Sequence, residues 1–217
     1  MTTYGAVSAA PTGLRESKKQ ETRQLISDVA TRLFLAHGFE RTTVAEIAAA
    51  ARVAKKTVTN YFPHKEDLAL DHQDAFAASL ADTVTSRQAG ESALSALRRA
   101  FADAAAVADP VAGFSGPDFA RMVADSPTLS ARLRDLHDLR EAALADALAD
   151  ATGVPRGGIT PRVAAALLGA VHRTLFRCIQ ELTLAGQDNA RISATVIAEA
   201  DRAFGLLEPS LADYATA

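Results

Sequence analysis

Lys55, Lys56, Thr57, Thr59, Asn60 and Tyr61 fall within one seven-residue stretch, KKTVTNY. On a helix, these residues present two ammonium groups, hydroxyls and an amide along one polar side, with Val58 behind them. Lysine bonds guanine edges and phosphates, and asparagine pairs with adenine. That chemistry is aimed at DNA rather than at a reaction. Elsewhere the chain has no glycine-rich phosphate loop, nucleophile elbow or HExxH pattern, so no catalytic residue is assigned and an enzyme is not expected. His64, Asp67, Asp71 and His72 cluster in sequence, with the two aspartates on one helix face. They read as solvated surface, and neither a metal nor a cofactor is expected.

The polar stretch needs elements to aim it. Thr43 is placed as an N-cap because Glu46, three residues on, completes a reciprocal capping box. Val44, Ile47, Ala48 and Ala51 then follow at the spacing of a short amphipathic helix. Ala51-Arg52-Val53 makes the turn. A second helix begins near Ala54, buries Val58 and Phe62, and stops before Pro63, which disfavours helical geometry in its predecessor. A preceding helix over 17–37 carries Leu25 or Ile26, Val29, Leu33 and Phe34 on one side, and Gly38 closes it. Lys18, Lys19 and Arg23 lie near its start, within reach of phosphates.

From about Lys18 to Ala78 the chain resembles the DNA-binding domain of the TetR (tetracycline-repressor) family of bacterial regulators. The resemblance rests on Ala36-His37-Gly38-Phe39, then Thr42-Thr43-Val44-x-Glu46-Ile47-Ala48, Val53-x-Lys55-x-Thr57-Val58, and Tyr61-Phe62-Pro63-x-Lys65-Glu66-Asp67-Leu68. It implies a sequence-specific DNA-binding regulator, by family default a repressor. Such a protein binds a palindromic operator as a homodimer and is released by a small molecule. Thr42 and Thr43 are then expected at phosphate, with Lys55, Lys56, Thr57 and Thr59 facing the groove. Lys55, Lys56 and Asn60 are the base readers, while Tyr61 and Lys65 hold the backbone. Lys18 and Arg52 complete the expected contact set. Three positions depart from the family: Arg52 replaces a turn glycine, Ala54 a capping serine worth roughly 0.5–2 kcal/mol, and Thr59 a mid-helix tyrosine. These departures keep a second reading open, a helical protein–protein adaptor that has lost sequence-specific DNA binding.

Charge is divided along the chain. Up to Tyr61 there are nine Lys and Arg against five Asp and Glu, and the remainder carries fourteen against twenty-one. A basic front on an acidic body suits a protein that sets one end on DNA, and speaks against a whole-surface nucleic-acid binder. Cys178 is the one cysteine, which leaves no intramolecular disulfide or cysteine metal cluster. No apolar run approaches a membrane span, and 1–14 lacks a signal-peptide plan, so a cytoplasmic protein is expected.

Beyond residue 64, alanine and leucine dominate and proline or glycine punctuates at helical lengths. The fold expected is all-α with about nine helices, including one continuous helix over 66–87. The predicted division is a flexible arm at 1–17, a DNA-binding domain at 18–64 with its helix-turn-helix at 43–62, a ligand-binding and dimerisation domain at 65–208, and a tail at 209–217. The last two helices carry apolar residues broadly around their circumference, the pattern of burial on two sides. By family resemblance they form a dimer interface through Leu167, Val171, Leu175, Ile179, Val196, Ala200 and Phe204; the other reading makes them monomer core. Phe76, Phe101, Phe119, Met122, His137, His172 and Phe176 are candidate pocket residues. At 6% aromatic content and without tryptophan, the chain does not suggest a broad aromatic pocket. Phe119 to Leu129 resembles a segment of family members that sense acyl-CoA-like ligands, which nominates Arg121, Arg140 or Arg173 to meet a phosphate or carboxylate.

Overall fold

The computed structural model describes residues 12–217, with side chains from Ser17 onward. The part of the predicted arm at 1–11 lies outside the described residues, and residues 12–17 belong to the first helix. Among the described residues there are eleven α-helices and one 3-10 turn. The chain separates after Asp71 into two compact units.

The first unit holds α1 (Thr12–His37), α2 (Val44–Ala50), α3 (Lys55–Tyr61) and α4 (Lys65–Ala69). Ile26, Val29, Ala30 and Phe34 of α1 are buried with Ile47 and Ala48 of α2, Val58 of α3 and Leu68 of α4. Leu25, the alternative to Ile26 in the apolar stripe, is 47% exposed. α1 ends where Gly38 takes φ +86° and its N–H donates to the Phe34 carbonyl at 2.8 Å, a backbone turn that favours glycine.

The helix expected over 66–87 is in fact two. α4 stops at Ala69, Leu70 leaves helical geometry at φ −109° and ψ 54°, and α5 (Gln73–Thr85) begins in the second unit. The Ser27 hydroxyl of α1 donates to the Asp71 carboxylate at 2.5 Å, which ties the end of this segment to the first unit. Leu68 and Phe76 lie on either side without a break in the apolar spacing, so periodicity gave no sign of the interruption. The boundary therefore falls after Asp71 rather than after residue 64.

The second unit contains α5, α6 (Ala93–Ala106), the 3-10 turn Pro110–Ala112, α7 (Pro117–Asp125), α8 (Pro127–Thr152), α9 (Ile159–Leu184), α10 (Asn189–Gly205) and α11 (Glu208–Leu211). The capping chemistry is local and clear. The Ser126 hydroxyl accepts the Leu129 N–H at 3.1 Å ahead of α8, Pro127 occupies the first turn, and Gly153 closes the helix at φ +68°. α9 starts at Ile159 behind Gly158. Pro161 sits in the first turn, where a missing N–H costs no helical hydrogen bond.

Leu80, Leu97, Leu144, Leu148, Leu168, Leu175, Ile179, Val196 and Phe204 form one continuous core. The expected tail belongs to it: Leu211 and Ala215 are buried, and the Ala217 N–H donates to the Glu91 carbonyl at 3.1 Å. Leu168 is fully buried at the centre of α9. Leu168→Ala is expected to destabilise the protein by about 2–5 kcal/mol in urea unfolding, the range for a large-to-small change that leaves a hole.

Candidate nucleic-acid interface and body cavity

α3 is short, and its two sides are sharply different. At ~100° per residue, Lys55, Thr59, Lys56 and Asn60 fall within an arc of ~140°. Lys55, Lys56 and Asn60 are exposed, Thr59 between the two lysines and Thr57 at the arc's flank are half-buried, and Val58 on the opposite side is fully buried. Thr59 donates its hydroxyl to the Lys56 carbonyl at 3.1 Å. α3 itself contains no acidic residue. Phe62 anchors the end of the helix: it is 2% exposed, and the Arg23 guanidinium stacks on its ring at 4.5 Å.

The turn ahead of α3 keeps its geometry without glycine. Arg52 adopts φ +56°, and the Val53 N–H donates to the Ala48 carbonyl at 3.0 Å, the long hydrogen bond of a Schellman closure. The left-handed conformation costs an arginine about 1–2 kcal/mol, and it leaves the Arg52 side chain exposed. Ala54 caps α3 without any side-chain bond. At the start of α2 the capping box is complete: the Thr43 N–H donates to the Glu46 carboxylate at 2.7 Å, and the Glu46 N–H donates to the Thr43 hydroxyl at 3.2 Å. The Thr43 N–H and hydroxyl hold the Glu46 carboxyl below its ordinary range.

Two expected phosphate contacts have internal roles instead. Thr42 is 2% exposed, and its hydroxyl donates to the Gly38 carbonyl at 2.9 Å. The Lys65 ammonium donates to the carbonyls of Phe39, Glu40 and Thr42 at 2.9, 3.3 and 3.2 Å, and stands over the Phe39 ring at 4.2 Å. It gathers the carbonyls of the loop between α1 and α2. Residue type alone does not separate such a lysine from a phosphate-binding one. Lys18 and Tyr61 remain at the surface, exposed and half-buried respectively.

In the second unit, a cavity of about 190 Å³ is bounded by α5, α6, the 3-10 turn, α8 and α9. Of the expected pocket residues, Phe101, Arg140 and His172 line it. Phe76, His137 and Phe176 form a cluster of edge-on rings with centroids 5.0–5.8 Å apart, and the Arg140 guanidinium lies 4.5 Å over Phe76. Phe119 and Met122 are on α7, outside this lining. Arg121 and Arg173 are on the surface, paired with Asp118 and with Asp138 and Glu141. The sequence reading missed Ser79, Thr83, Asp109, Ala100 and Ala104, which also line the cavity. It looked for large aromatic residues, whereas a cavity opens where residues are small. The hydroxyls at positions 79 and 83, one helical turn apart, were the available signal.

Gly113 shapes the chain beside the cavity. It adopts φ +124°, and a side chain there would meet the Phe176 ring at 3.1 Å. Its carbonyl accepts from the Gln180 amide. Burial lowers the His137 pKa to about 4, helped by the nearby Arg140 and Arg173 charges, and burial likewise holds His172 well below the ordinary range.

The expected dimer stripe divides. Leu175, Ile179, Val196, Ala200 and Phe204 are between 0 and 2% exposed in the single chain, so they are core rather than a surface for a partner. Leu167 is 40% exposed and Val171 half-buried. The outward apolar face of α9 instead carries Ile159, Val163 and Leu167. Among the described residues, no group of three or more His, Cys, Asp or Glu is arranged to hold a metal ion, and no helix is long and apolar enough to cross a membrane.

A buried helical scaffold presenting a short cationic helix behind a tight turn is the arrangement of a helix-turn-helix transcriptional regulator. Residues 26–71 match the sequence profile of bacterial regulatory proteins, tetR family. The chain is 34% identical over 171 residues to the HTH-type transcriptional regulator TcmR of Streptomyces glaucescens, covering 76% of each protein. It belongs to the tetR family. Its fold matches a TetR-family regulator from Streptomyces coelicolor A3 with a TM-score of 0.53 at 20% identity, over 92% of this chain and 99% of the other. A second match, a TetR-family protein from Syntrophomonas wolfei, has a TM-score of 0.56 at 17% identity over 86% and 96% of the two chains.

Two outcomes test these assignments. Lys65→Met is expected to cost about 1.5–3 kcal/mol in urea unfolding, because buried carbonyls lose a charged donor, while the salt dependence of DNA binding stays as it was. The histidines give a pH signature. His137 is held neutral down to about 4 in the folded chain and takes up its proton near 6.5 when unfolded. Stability is therefore complete above about pH 6.5 and falls as pH drops toward 4. His137→Phe keeps a ring in the cluster but has no proton to gain, so its melting temperature should fall less between pH 6.5 and 5.

Proposed function

We propose that this regulator represses transcription by binding a two-fold operator as a homodimer, and that a small molecule in the body cavity releases it. The single observation that carries the reading is the exposed arc of α3, with Lys55, Lys56 and Asn60 outward and Val58 fully buried behind them. In helix-turn-helix proteins the second helix enters the major groove while the first crosses the backbone. Lys55, Lys56 and Asn60 are then the base readers, Lys55 also reaching a phosphate, with Thr57 and Thr59 facing the groove and Tyr61, Arg52 and Lys18 steadying the backbone. Two half-sites about one DNA turn apart call for a two-fold partner, and the exposed Val163 and Leu167 support its placement along α9. The adaptor reading has no comparable support, since an adaptor has no need of an acid-free cationic helix.

The cavity favours a small effector. At about 190 Å³ it lies below the roughly 300–1,000 Å³ of pockets for drug-sized ligands. A whole acyl-CoA exceeds that space, and Arg121 and Arg173 face outward, so the acyl-CoA idea loses two of its three arginines. Fluorescence anisotropy on DNA from beside the protein's own gene, with a scrambled duplex as control, tests the main reading. Selective, salt-sensitive binding with two protomers per site is expected; equal weak binding to both duplexes at every salt concentration would return the adaptor reading. In the same assay Lys55→Ala should weaken operator binding and reduce the salt slope by about 0.9, the value of one phosphate contact on duplex DNA. An unchanged slope would remove Lys55 from the phosphate contacts.

A further inference from the structure

Arg140 is a buried charge with no opposite charge beside it. It is 6% exposed, lines the body cavity, donates Nε to the Ser79 hydroxyl at 2.9 Å and stacks on Phe76. Among the described residues no carboxylate forms an ion pair with it. Asp138 and Glu141 pair with Arg173 on the surface; Asp109, the one acid in the lining, gives an oxygen to the Val111 N–H at 2.7 Å at the start of the 3-10 turn and forms no ion pair with Arg140. Arginine has five N–H donors in a planar fork, and only Nε is taken up by the protein here. Burial alone accounts for its pKa falling to about 10, with no acidic neighbour pulling the other way.

A second unmet group lies in the same lining. His172 is 5% exposed, and its Nε2 has no hydrogen-bond partner. Its ring is held edge-on by Phe101 and Phe204, at 5.9 and 5.4 Å between centroids. A buried cation that no protein carboxylate pairs, set in the wall of a cavity, marks a site that receives an anion. The lining also includes the apolar Leu80, Leu97, Phe101 and Val111. The size sets the body of that anion, since an apolar cavity of about 150 Å³ is enough to hold benzene, and this one is about 190 Å³.

We infer that the body cavity is a binding site for a small monocarboxylate with a single-ring or similarly compact apolar body, its carboxylate meeting Arg140. The class of ligand rests on the proposed effector role of this cavity, but binding is measured without DNA, so the two readings fail separately. One arginine answers one negative charge, and its fork suits the two oxygens of a carboxylate. The volume of about 190 Å³ is too small for a nucleotide.

Calorimetric titration of the full chain with benzoate and phenylacetate, each against its neutral amide, tests the inference. At least one carboxylate should bind saturably, and at least about tenfold more tightly than its amide. Arg140→Met should abolish that preference. Ala104→Phe fills the lining with Arg140 in place and should lose the carboxylate altogether, with circular dichroism reporting that each variant is folded. Equal affinity for acid and amide, no saturable binding of either acid, or a preference that survives Arg140→Met would overturn the inference. If Arg140→Met does not fold, Ala104→Phe decides: carboxylate binding that persists there places the site elsewhere and overturns it.

Discussion

A seven-residue helix does not hold itself together in water, and the first unit is organised around that limit. Isolated helices shorter than about a dozen residues are marginal because nucleation is costly and few hydrogen bonds follow. α3 also lacks a side-chain cap, and the turn before it holds an arginine in left-handed geometry. What holds α3 in place is burial on its inner side, through Val58 and the adjoining Phe62, and its packing against α2. That leaves the outer arc free of structural duty. Lys55, Lys56 and Asn60 are exposed because none of them is needed for packing, and the helix can place polar groups there with little cost to the fold. The same economy explains Lys65, whose ammonium draws together the loop carbonyls that the helix ends cannot satisfy.

The second unit answers a different constraint. α8 and α9, each of 26 residues, have ample length to pack, and their buried residues fill most of the space between helices. Where Ala100, Ala104 and Ala112 face the interior, the side chains are too short to close it, and the cavity results. Its polar members are not scattered. Ser79 and Thr83 share a face of α5, and Ser79 fixes the Nε of Arg140. Phe76 covers the guanidinium, and His137 and Phe176 pack edge-on against Phe76. Neutral histidines belong to this arrangement, because protonating either one would add a second buried positive charge beside Arg140.

The parts of the fold that sequence revealed were those governed by local chemistry. Thr43 with Glu46 and the glycine at 38 mark helix ends through bonds made within a few residues, and each cap is present. The polar side of α3 was equally legible, since helical spacing fixes which residues share a face. Long-range relations were hidden. Whether Lys65 meets phosphate or carbonyl depends on a loop some 25 residues earlier, and the break after Ala69 leaves the apolar spacing undisturbed. The stripe assigned to a dimer partner failed for a related reason. α9 and α10 carry apolar residues on several sides, and periodicity says how many sides are covered but not by which chain. Leu175, Ile179, Val196, Ala200 and Phe204 are covered by their own chain.

For the carboxylate inferred above, the buried charge would also give the cavity a means of acting as a sensor. A ligand shifts a conformational equilibrium only by the difference in its affinity for the two states. Apolar contacts vary gradually with the width of a cavity, so a purely greasy ligand discriminates weakly between neighbouring shapes. An anion placed against Arg140 is more demanding, because its interaction rises steeply as water is excluded and the distance closes. With Nε already oriented by Ser79 and the ring of Phe76 fixing the plane of the guanidinium, the arginine does not need to search for its partner. A state of the body that keeps the carboxylate against Arg140 would then be favoured over one that leaves the charge half-solvated, and that difference is the quantity an allosteric regulator must generate.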